Sequence, residues 1–396
     1  MKIKVLPSDF RVTEVPDLNI EKSPSEYKVY LLEKSGWDMF ALVDKLARDL
    51  NVPKKDIIYG GIKDRHGDTS QYITIRARKG LPDSYSEKGC LLTAKGYSGE
   101  PVRAKDIKGN LFDIVLRDIA PGETETYIEN YRAAREWGVP NYFDDQRFGS
   151  SRHGKGFMGK EIFLGDREKA LKLYFTPSAE DRKKDRDFKQ SVIDNWGKWD
   201  RLADIPPGEY KRIFDYMKIP GHSRSYTKSL SLIDRNFLLF VLNVYQSFLY
   251  NEIVSRYLTS VLAKRGMGIA EYPYQEGKFV FYRALDKELL AELSVKEAPM
   301  PGYDTSIADP EIEECASAVF ASEGITLDSL KVRALYQRNV HGKDRPVVVM
   351  PETDEEPVVS DDERYPGKKA LRVKFFLPKG CYATMVIKRM TLAEWK

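Results

Sequence analysis

The sequence predicts an α+β protein in which a strand-containing domain is interrupted by a helix-rich domain. Strand and helix patterns follow one another irregularly through about the first third of the chain, helical periodicity dominates the middle, and strand patterns return after about His341. With 396 residues the chain is also too long for one ordinary core. We therefore expect two domains, one of which is assembled from both ends of the chain.

The first region is expected to mix strands and helices without a regular βαβ alternation. Residues 28–33 predict a short strand, and Asp38 is then placed to cap a helix over 39–51 that Pro53 stops. The apolar residues at helical spacing in this helix are Phe40, Val43, Leu46, Ala47 and Leu50. Further strands are predicted at 71–76 and 111–117, and a helix at 124–137.

The middle of the chain is expected to be mostly helical. The apolar stripe of residues 237–258 predicts a long core helix, and shorter helical pieces are predicted at 309–322 and 327–336. A dense run of charged residues at 182–189 predicts an exposed loop or linker. Near the carboxyl end, residues 372–389 predict a strand, a Pro/Gly turn and a short helix.

The composition is that of a soluble globular protein, with 42% hydrophobic and 31% charged residues. No apolar run reaches the ~20 residues that a bilayer-spanning helix needs, and the first four residues lack the apolar core of a signal peptide. We expect a cytoplasmic protein without a membrane partner. Three widely spaced cysteines and four histidines exclude a disulfide framework, a cysteine zinc cluster and a histidine-rich metal site.

The charge balance is nearly neutral, with 64 basic and 60 acidic residues, and by itself it predicts no nucleic-acid partner. The basic residues are nevertheless concentrated in patches, which can neutralise a phosphate backbone even at a net charge of +4. Solvated surface is the other explanation for any one patch. The patches lie at 63–79, 147–160, 212–228 and 368–389.

The most informative segment is the loop Gly60–Gln71, which presents the Asp64 carboxylate among glycines, basic groups and hydroxyl side chains. Glycines allow a tight loop and the close approach of a ligand. Lys63, Arg65 and His66 favour the ionised carboxylate and attract phosphate. This pattern is typical of a displayed nucleophile or base, and a hairpin turn whose Asp bonds its own backbone is the alternative interpretation.

A second segment, Asn141–Gly149, combines aromatic, amide and arginine side chains. In a loop that holds a flipped base, Phe143 or Tyr142 can stack on the ring. Asn141 can then bond the edge of the base, and Arg147 can contact a phosphate. Aromatic residues at this spacing are also common in protein cores, so core packing is the alternative interpretation.

From the residues alone, two other functions stay open. No glycine-rich nucleotide fingerprint is present, but Asp64, Asp144 and Asp145 are an acidic set that a metal-dependent nuclease could place around Mg²⁺. An RNA-binding or chaperone module without turnover is the second possibility. Sensitivity to a chelator would identify the nuclease, and full function after Asp64→Asn would identify the binding module.

Six segments, in their order, resemble the motifs of the TruD family of tRNA pseudouridine synthases, with an archaeal-type member expected. The segment Gly61-Ile62-Lys63-Asp64, with Thr69 and Gln71, resembles the family's Gly-x-Lys-Asp-(four)-Thr-x-Gln signature. The other segments are Lys4 with Pro7–Glu14, Gly109–Phe112 with Arg117, Asn141–Phe143 with Gln146–Gly149, Gln246–Asn251, and Leu377–Thr384. The sequence departs from the family pattern at Asp144, where many members have Gly, at Cys381, where Ser is usual, and at 388–390, where an Arg-Glu pair is common.

The resemblance implies a pseudouridine synthase fold, a mixed and mainly antiparallel sheet with flanking helices, split by a helix-rich insertion. The catalytic domain is then expected at 1–157 and 341–396, and the insertion at 158–340. The implied reaction is isomerisation of a uridine in tRNA, usually uridine 13 in this family, to pseudouridine without a cofactor or a metal. The implied partner is tRNA or another structured RNA, and a monomer without an obligatory protein partner is expected.

The resemblance also assigns roles to individual residues. Asp64 is expected to act at the ribose, either as a nucleophile at C1′ or as a base, and the sequence leaves both alternatives open. Phe143 is expected to stack on the freed uracil and Asn141 to hold its edge. Phe10 is expected to close the pocket against water. The remaining expected site residues are Lys4, as a positive partner of Asp64 or of a phosphate, Lys63 and Arg147, as RNA contacts, and Tyr382, as a second wall of the pocket.

Overall fold

The computed structural model describes residues 1–151, 153–332 and 340–392. These residues form two compact units. The first unit comprises Met1–Val139 and the described residues from Val349 onward, and the second comprises the described part of Pro140–Val348. The expected insertion, 158–340, is shorter at both ends than the second unit. Asn141, Phe143 and Arg147 therefore belong to the second unit.

The elements follow one another in an irregular order. The first segment contains β1 (Phe10–Pro16), β2 (Tyr27–Ser35), α1 (Met39–Asp49), β3 (Ile57–Tyr59), β4 (Asp68–Arg76), β5 (Ser84–Glu87), β6 (Cys90–Ser98), β7 (Ile107–Ile119), α2 (Thr124–Trp137) and β8 (Val139–Pro140). The middle segment contains α3 (Met158–Leu164), α4 (Arg167–Tyr174), α5 (Lys183–Asp194), α6 (Glu209–Met217), α7 (Tyr226–Leu230), α8 (Arg235–Lys264), β9 (Ile269–Tyr274), β10 (Gly277–Tyr282), α9 (Lys287–Val295), β11 (Glu297–Met300), α10 (Pro310–Glu323) and β12 (Lys343–Pro346). The last segment contains β13 (Val348–Val349), β14 (Val358–Asp361), β15 (Lys369–Pro378) and α11 (Ala383–Met390).

The first unit is built on one large sheet with the strand order β14-β15-β7-β1-β4-β2-β6-β5, and β3 also pairs with β4. Its neighbouring strands are antiparallel except for β1 and β4, which are parallel and pair Arg11 with Asp68. Parallel neighbours begin at the same edge of a sheet. The segment that precedes β1 and the loop that precedes β4 therefore lie together.

Helices cover one face of this sheet. Helix α1 packs on Tyr30 and Ile73, which face each other across β2 and β4. On the same face, the Tyr131 ring of α2 lies 6.3 Å from the Phe375 ring of β15. The opposite face exposes polar side chains of β1 and β2, namely Arg11, Thr13 and Glu33.

Helix α1 begins where the sequence predicts and buries Val43, Leu46 and Ala47 of the predicted stripe. The Asp38 carboxylate accepts hydrogen bonds from the main-chain N–H groups of Phe40 and Ala41, at 3.0 and 3.1 Å, and so caps the helix. Phe40, which shares the helical spacing of Val43, Leu46 and Ala47, is 61% exposed. The residues that α1 presents to the sheet are Met39, Leu42, Val43, Leu46 and Ala47.

Most of the other predicted elements are confirmed. The helix predicted at 124–137 coincides with α2. The strands predicted at 28–33, 71–76 and 111–117 lie inside the longer β2, β4 and β7, and the predicted long core helix lies inside α8.

The loop predicted at 182–189 is wrong, because these residues begin α5. This helix buries Phe188 and Val192 while its charged residues point outward, so the dense charge marks a solvated helix face. The middle segment also contains the β9–β10 hairpin, which the helical interpretation missed. Of the helix predicted at 327–336, the structure shows a short 3₁₀ turn at Asp328–Leu330, and residues 333–336 lie outside the described residues.

Helix α8 is the core helix of the second unit. By length and composition it could cross a membrane, since its most apolar 18-residue window has a mean hydropathy of 1.3. However, 72% of that window is buried inside the protein. Core helices meet the same criterion, so α8 is weak support for a membrane span.

Candidate active site

Asp64 lies in the loop between β3 and β4, at the sheet edge where β1 and β4 both begin. The loop is fixed at its start by Gln71 of β4, whose Nε2 donates to the Gly61 carbonyl at 3.1 Å. At its end, Gly67 lies so close to β1 that an added Cβ would come within 2.4 Å of the Phe10 carbonyl oxygen. Any larger residue at position 67 would push the loop away from β1.

Lys4 and Asp64 form an ion pair in this structure, and Asp64 is one of the two partners that the resemblance implies for Lys4. Lys4 Nζ contacts Asp64 Oδ2, and the His66 main-chain N–H donates to Asp64 Oδ1 at 3.0 Å. Partial burial opposes ionisation of the carboxyl, but the two hydrogen bonds and the Lys4 charge outweigh it and lower the pKa of Asp64. The Asp64 side chain keeps 28% of its surface exposed. The loop therefore presents an ionised and accessible carboxylate at neutral pH.

The backbone at Lys4 has an unusual conformation. Its φ angle is +57°, in the left-handed region that residues other than glycine rarely adopt. Such conformations cost on the order of 1–3 kcal/mol and are concentrated at functional sites. Two residues earlier, the main-chain N–H of Lys2 donates to the Arg117 carbonyl at 2.7 Å, and the Lys2 carbonyl accepts from the Arg117 N–H at 2.8 Å. The Lys4 ammonium in turn lies 4.3 Å from the centroid of the Phe10 ring.

Arg117 of β7 anchors the segment that leads into β1. Its guanidinium donates to both carboxylate oxygens of Asp9, each at 2.8 Å, and to Asp362 at 3.1 Å. Both carboxylate side chains are almost fully buried. The sequence placed Arg117 in a family motif but gave no sign of these partners. The structure assigns it the role of holding Asp9, and hence Phe10 next to it, in place.

Lys34 of β2 is a site residue that the sequence analysis missed. Its buried ammonium donates to the main-chain carbonyl of Asp64 at 2.7 Å and to that of Trp37 at 3.0 Å. Burial lowers the pKa of Lys34, although the charges of Asp64 and Asp38 act in the opposite direction. Lys34 thus fixes the backbone from which the Asp64 carboxylate projects.

Lys63 points away from Asp64 and into the unit. Its ammonium lies 3.0 Å from Oε2 of the fully buried Glu14 side chain and also contacts the Asn110 side chain. Glu14 and Asn110 face each other across β1 and β7. The structure gives Lys63 a structural role in neutralising Glu14, and its expected contact with RNA stays a prediction.

Phe10 and Tyr382 occupy different environments. Phe10 is 5% exposed and packs edge-on against Phe112, with 6.3 Å between the ring centroids. Tyr382 is half-buried and immediately precedes α11, where its carbonyl accepts from the Met385 N–H at 3.0 Å. Lys4 links Phe10 to Asp64, whereas the expected role of Tyr382 as a pocket wall stays a prediction.

Phe143 is buried within the second unit and is only 7% exposed. The guanidinium carbon of Arg345 lies 4.1 Å from the centroid of its ring, and the Tyr250 ring meets it edge-on at 5.6 Å. A base that stacks on Phe143 must therefore share the ring with Arg345 or displace it. This packing agrees with the core interpretation, and the contact with a base stays a prediction.

Asn141 is also buried, and its side-chain amide is engaged within the unit. Its Nδ2 donates to the Pro346 carbonyl at 3.0 Å, and its Oδ1 accepts from Arg345 at 3.2 Å. Arg147 donates to the Ser247 hydroxyl at 3.1 Å and lies 5.7 Å from the Phe143 ring centroid. The structure thus brings Asn141, Phe143 and Arg147 together, with Arg345 in contact with Asn141 and Phe143 and Arg147 beside the Phe143 ring.

Helix α8 fixes this cluster through residues that the sequence analysis had matched only as a motif. Asn251 Oδ1 accepts from the Phe143 main-chain N–H at 2.9 Å, and Asn251 Nδ2 donates to the Phe143 carbonyl at 2.8 Å. The Asn251 side-chain amide therefore satisfies both main-chain polar groups of Phe143, as the backbone of a neighbouring strand does in a sheet. Arg345 and Asn251 are more than one hundred residues from Phe143 in sequence, so no local pattern could indicate their contact with it.

No group of three or more His, Cys, Asp or Glu side chains within 1–151, 153–332 and 340–392 is arranged to hold a metal ion. In the part of the chain that the structure describes, Asp64, Asp144 and Asp145 therefore do not form a group that could hold a metal ion. Asp144 is buried, and its main-chain carbonyl accepts from the Arg147 N–H at 2.8 Å. The nuclease alternative gains no support from the geometry.

Comparison with known proteins agrees with the resemblance seen in the motifs. The family described as tRNA pseudouridine synthase D (TruD) matches residues 1–390. A probable tRNA pseudouridine synthase D from Methanocaldococcus jannaschii is 31% identical over 396 residues, which cover 99% of this chain and 92% of the relative. A probable tRNA pseudouridine synthase D from Methanococcus maripaludis is 29% identical over 394 residues, which cover 98% and 99%.

A solved structure is similar over the same length. The crystal structure of a putative tRNA pseudouridine synthase D from Methanosarcina mazei superposes with a TM-score of 0.73 at 26% identity and covers 98% of this chain and 93% of that one. The α+β fold, the assignment to an isomerase class and the tRNA substrate are thereby confirmed. The chain belongs to the tRNA pseudouridine synthase D (TruD) family.

Proposed function

We propose that Asp64 is the catalytic residue and that its carboxylate acts at the ribose of the target uridine. The observation that carries this proposal is the pairing of Lys4 with Asp64 on a loop fixed at Gly61, Asp64 and Gly67. Lys4 lowers the pKa of Asp64, and the carboxylate keeps part of its surface accessible. A nucleophile or base must be ionised and accessible to act.

The reaction rearranges bonds without consuming a second reactant. The N1–C1′ glycosidic bond breaks, the uracil turns, and a C5–C1′ bond forms; the hydrogen leaves C5 and N1 ends protonated. As a nucleophile, Asp64 forms an ester at C1′ that C5 later displaces. As a base, it takes a proton from C2′ of the ribose while the N1–C1′ bond breaks, and it returns this proton to C2′ as C5 bonds to C1′. Both routes require the ionised form of Asp64 at the start.

The neighbouring residues receive supporting roles in this proposal. Lys4 neutralises the carboxylate until the uridine is bound, and Phe10 lies under Lys4 at the same sheet edge. Phe143 stacks on the uracil and Asn141 bonds its edge, with Arg345 moving off the ring when the base binds. Lys63 and Arg147 contact the RNA, and Tyr382 forms a second wall of the pocket.

We assign residues 1–157 and 341–396 to the catalytic domain and residues 158–340 to the insertion, so the catalytic domain extends beyond the first unit at both boundaries. This extension takes in Asn141, Phe143 and Arg147, which pack within the second unit. We further propose that the target is uridine 13 of tRNA. The enzyme is proposed to work as a cytoplasmic monomer without an obligatory protein partner and without a cofactor.

The test is to map pseudouridine in an unmodified tRNA transcript after incubation with three purified proteins. The wild type is expected to introduce pseudouridine at position 13, and Asp64→Asn none. Asp68→Asn is the matched control, because it removes a carboxylate at the other end of the same loop, and it should modify position 13 as the wild type does. Modification only at another position would reject the proposed target, and modification by Asp64→Asn would reject the catalytic assignment.

A further inference from the structure

The second unit contains a cavity of about 530 Å³ whose lining is unusual in charge. It is bounded by Arg167, Arg224 and Lys228 and contains no carboxylate among its lining residues. Ser225, Thr227 and Ser231 line the same space, and the Ser231 hydroxyl donates to the Lys228 carbonyl at 2.6 Å. The whole chain has nearly equal numbers of basic and acidic residues, whereas the charged residues that line this cavity are all basic.

Other cavities of similar size differ in this respect. One of about 750 Å³ includes Glu252, Glu311 and Glu314 beside its basic residues. Cavities of about 560 and 430 Å³ include, respectively, Glu33, Asp68 and Glu87, and Asp181, Glu209 and Asp234. In those three cavities carboxylates accompany the cations, whereas Arg167, Arg224 and Lys228 have no ion-pair partner among the described residues.

The cavity wall is held in place by contacts behind it. The Trp199 indole N–H donates to the Ser223 carbonyl at 2.9 Å, immediately before Arg224. The His222 ring stacks on Tyr216, with centroids 4.6 Å apart, and Tyr216 itself lines the cavity. On the other side, Arg167 contacts the Ile162 carbonyl at the end of α3.

A second aromatic contact supports the segment that carries Lys228. The Tyr226 ring, which also lines the cavity, stacks on Trp196 at 6.2 Å. The nearby carboxylate of Glu168 is engaged by Lys172 and by the Trp196 indole N–H, both at 2.9 Å, and does not line the cavity. The segments that carry Arg167, Arg224 and Lys228 are thus held by contacts within the unit, and no carboxylate lines the cavity beside them.

We propose that this cavity binds backbone phosphates of the tRNA substrate. Three cationic side chains with several hydroxyl donors match the acceptor oxygens of a phosphodiester, and arginine is especially suited to them. The cavity is formed entirely by the second unit, so it gives that unit an RNA-binding role of its own. The inference rests on the proposed function only in taking tRNA as the ligand, and it does not depend on Asp64.

The experiment compares the wild type with Arg224→Gln/Lys228→Gln. These two side chains are exposed, so their replacement should not unfold the protein, and the half-buried Arg167 is left intact. The control is Lys264→Gln/Lys287→Gln, which removes the same charge from exposed positions outside this cavity. Binding of labelled, unmodified tRNA is measured over a range of salt concentrations, and thermal unfolding checks the fold of each variant.

We expect the affinity of the cavity variant for tRNA to fall about tenfold, with the log–log salt slope reduced by roughly 0.7–0.9 for each phosphate that the variant no longer neutralises. Its single-turnover rate at saturating tRNA should equal that of the wild type. The control should match the wild type in affinity and slope. Equally weakened binding by both double variants would show a general charge effect and would overturn the proposal.

A titration with inorganic phosphate distinguishes an RNA site from a site for a small free anion. Micromolar binding of inorganic phosphate that the cavity variant abolishes, with unchanged tRNA affinity, would also overturn the proposal. A failure of the catalytic assignment would look different. Pseudouridine formation would then survive in Asp64→Asn, while the effect of the cavity variant on tRNA affinity would remain.

Discussion

Arg117 and Asp9 form a buried, two-fold hydrogen-bonded ion pair, with Arg117 Nε and Nη2 each 2.8 Å from one Asp9 carboxylate oxygen. The pair joins β7 to the residue before β1, so it fixes the start of the strand that carries Phe10. It also lies next to the main-chain hydrogen bonds that hold Lys2. The loop that carries Asp64, and its partner Lys4, thus depend on a charge pair that does not touch Asp64 itself.

Arg117→Ala should destabilise the protein strongly. The change leaves the carboxylates of Asp9 and Asp362 buried without their cation, which typically costs about 3–5 kcal/mol in the free energy of unfolding. Urea unfolding measures this cost. Arg132→Ala is the matched control, because Arg132 pairs with Glu356 on the surface and its removal should cost less than about 1 kcal/mol. Equal destabilisation by the two changes would contradict the anchoring role of Arg117.

Lys34→Met should reduce the rate of the chemical step rather than the affinity for tRNA. The methionine fills a similar volume but leaves the Asp64 and Trp37 carbonyls without their donor, so the loop is held less firmly. We expect the single-turnover rate to fall by roughly 10- to 100-fold with little change in the dissociation constant of tRNA. Lys45→Met is the control, because Lys45 of α1 pairs with Asp49 and Glu87 rather than with the loop. A weaker affinity at an unchanged rate would mean that Lys34 does not position Asp64.

The pH dependence of activity should report the ion pair of Lys4 and Asp64. The pKa of Asp64 lies below its ordinary value of 3.8, so the carboxylate is ionised at pH values above this, and there we expect no change of rate from its titration. The same shift favours the folded state above pH 3.8, and this contribution is lost as the pH falls through the lower folded pKa. Lys4→Met removes a positive charge and should therefore move the acid limb of the pH–rate profile to higher pH. An unmoved acid limb would show that Lys4 does not act on Asp64.

Phe143→Leu separates base stacking from core packing. Leucine keeps most of the buried apolar volume, so unfolding should change little, while the loss of an aromatic face should cost about 1–3 kcal/mol in binding the flipped base. We expect a single-turnover rate reduced by at least tenfold with near-normal thermal stability. Phe148→Leu, at another buried aromatic position of the same unit, is the control. A normal rate would identify Phe143 as a core residue only.

Much of the first unit could be predicted because its signals are local. Asp38 followed by a helical stripe predicted α1, and the family resemblance implied that Lys4 pairs with Asp64 or with a phosphate. Lys34 could also have been found, since it continues the alternation of buried residues at Tyr30 and Leu32. An isolated lysine in a strand is normally exposed, so this alternation alone is a weak sign of burial.

The second unit was harder to predict because its determining contacts are distant in sequence. Arg345 covers the Phe143 ring and Asn251 bonds the Phe143 backbone. Nothing in the sequence around Phe143 indicates either contact. The charged run at 182–189, which was predicted as a loop, was mispredicted for a different reason. Helix α5 buries only Phe188 and Val192, which are too few to form a clear apolar stripe. The high charge of the segment therefore led to the prediction of a loop.

The rate of pseudouridine formation by Asp64→Asn tests the central claim most directly. The substitution keeps the size of the side chain and a hydrogen-bond acceptor for Lys4 but removes the ionised carboxylate. Under single-turnover conditions with saturating tRNA, we predict a rate reduced by at least ~10³-fold, with normal unfolding and normal tRNA affinity. A folded, tRNA-binding Asp64→Asn protein that kept more than a few per cent of the wild-type rate would contradict the account.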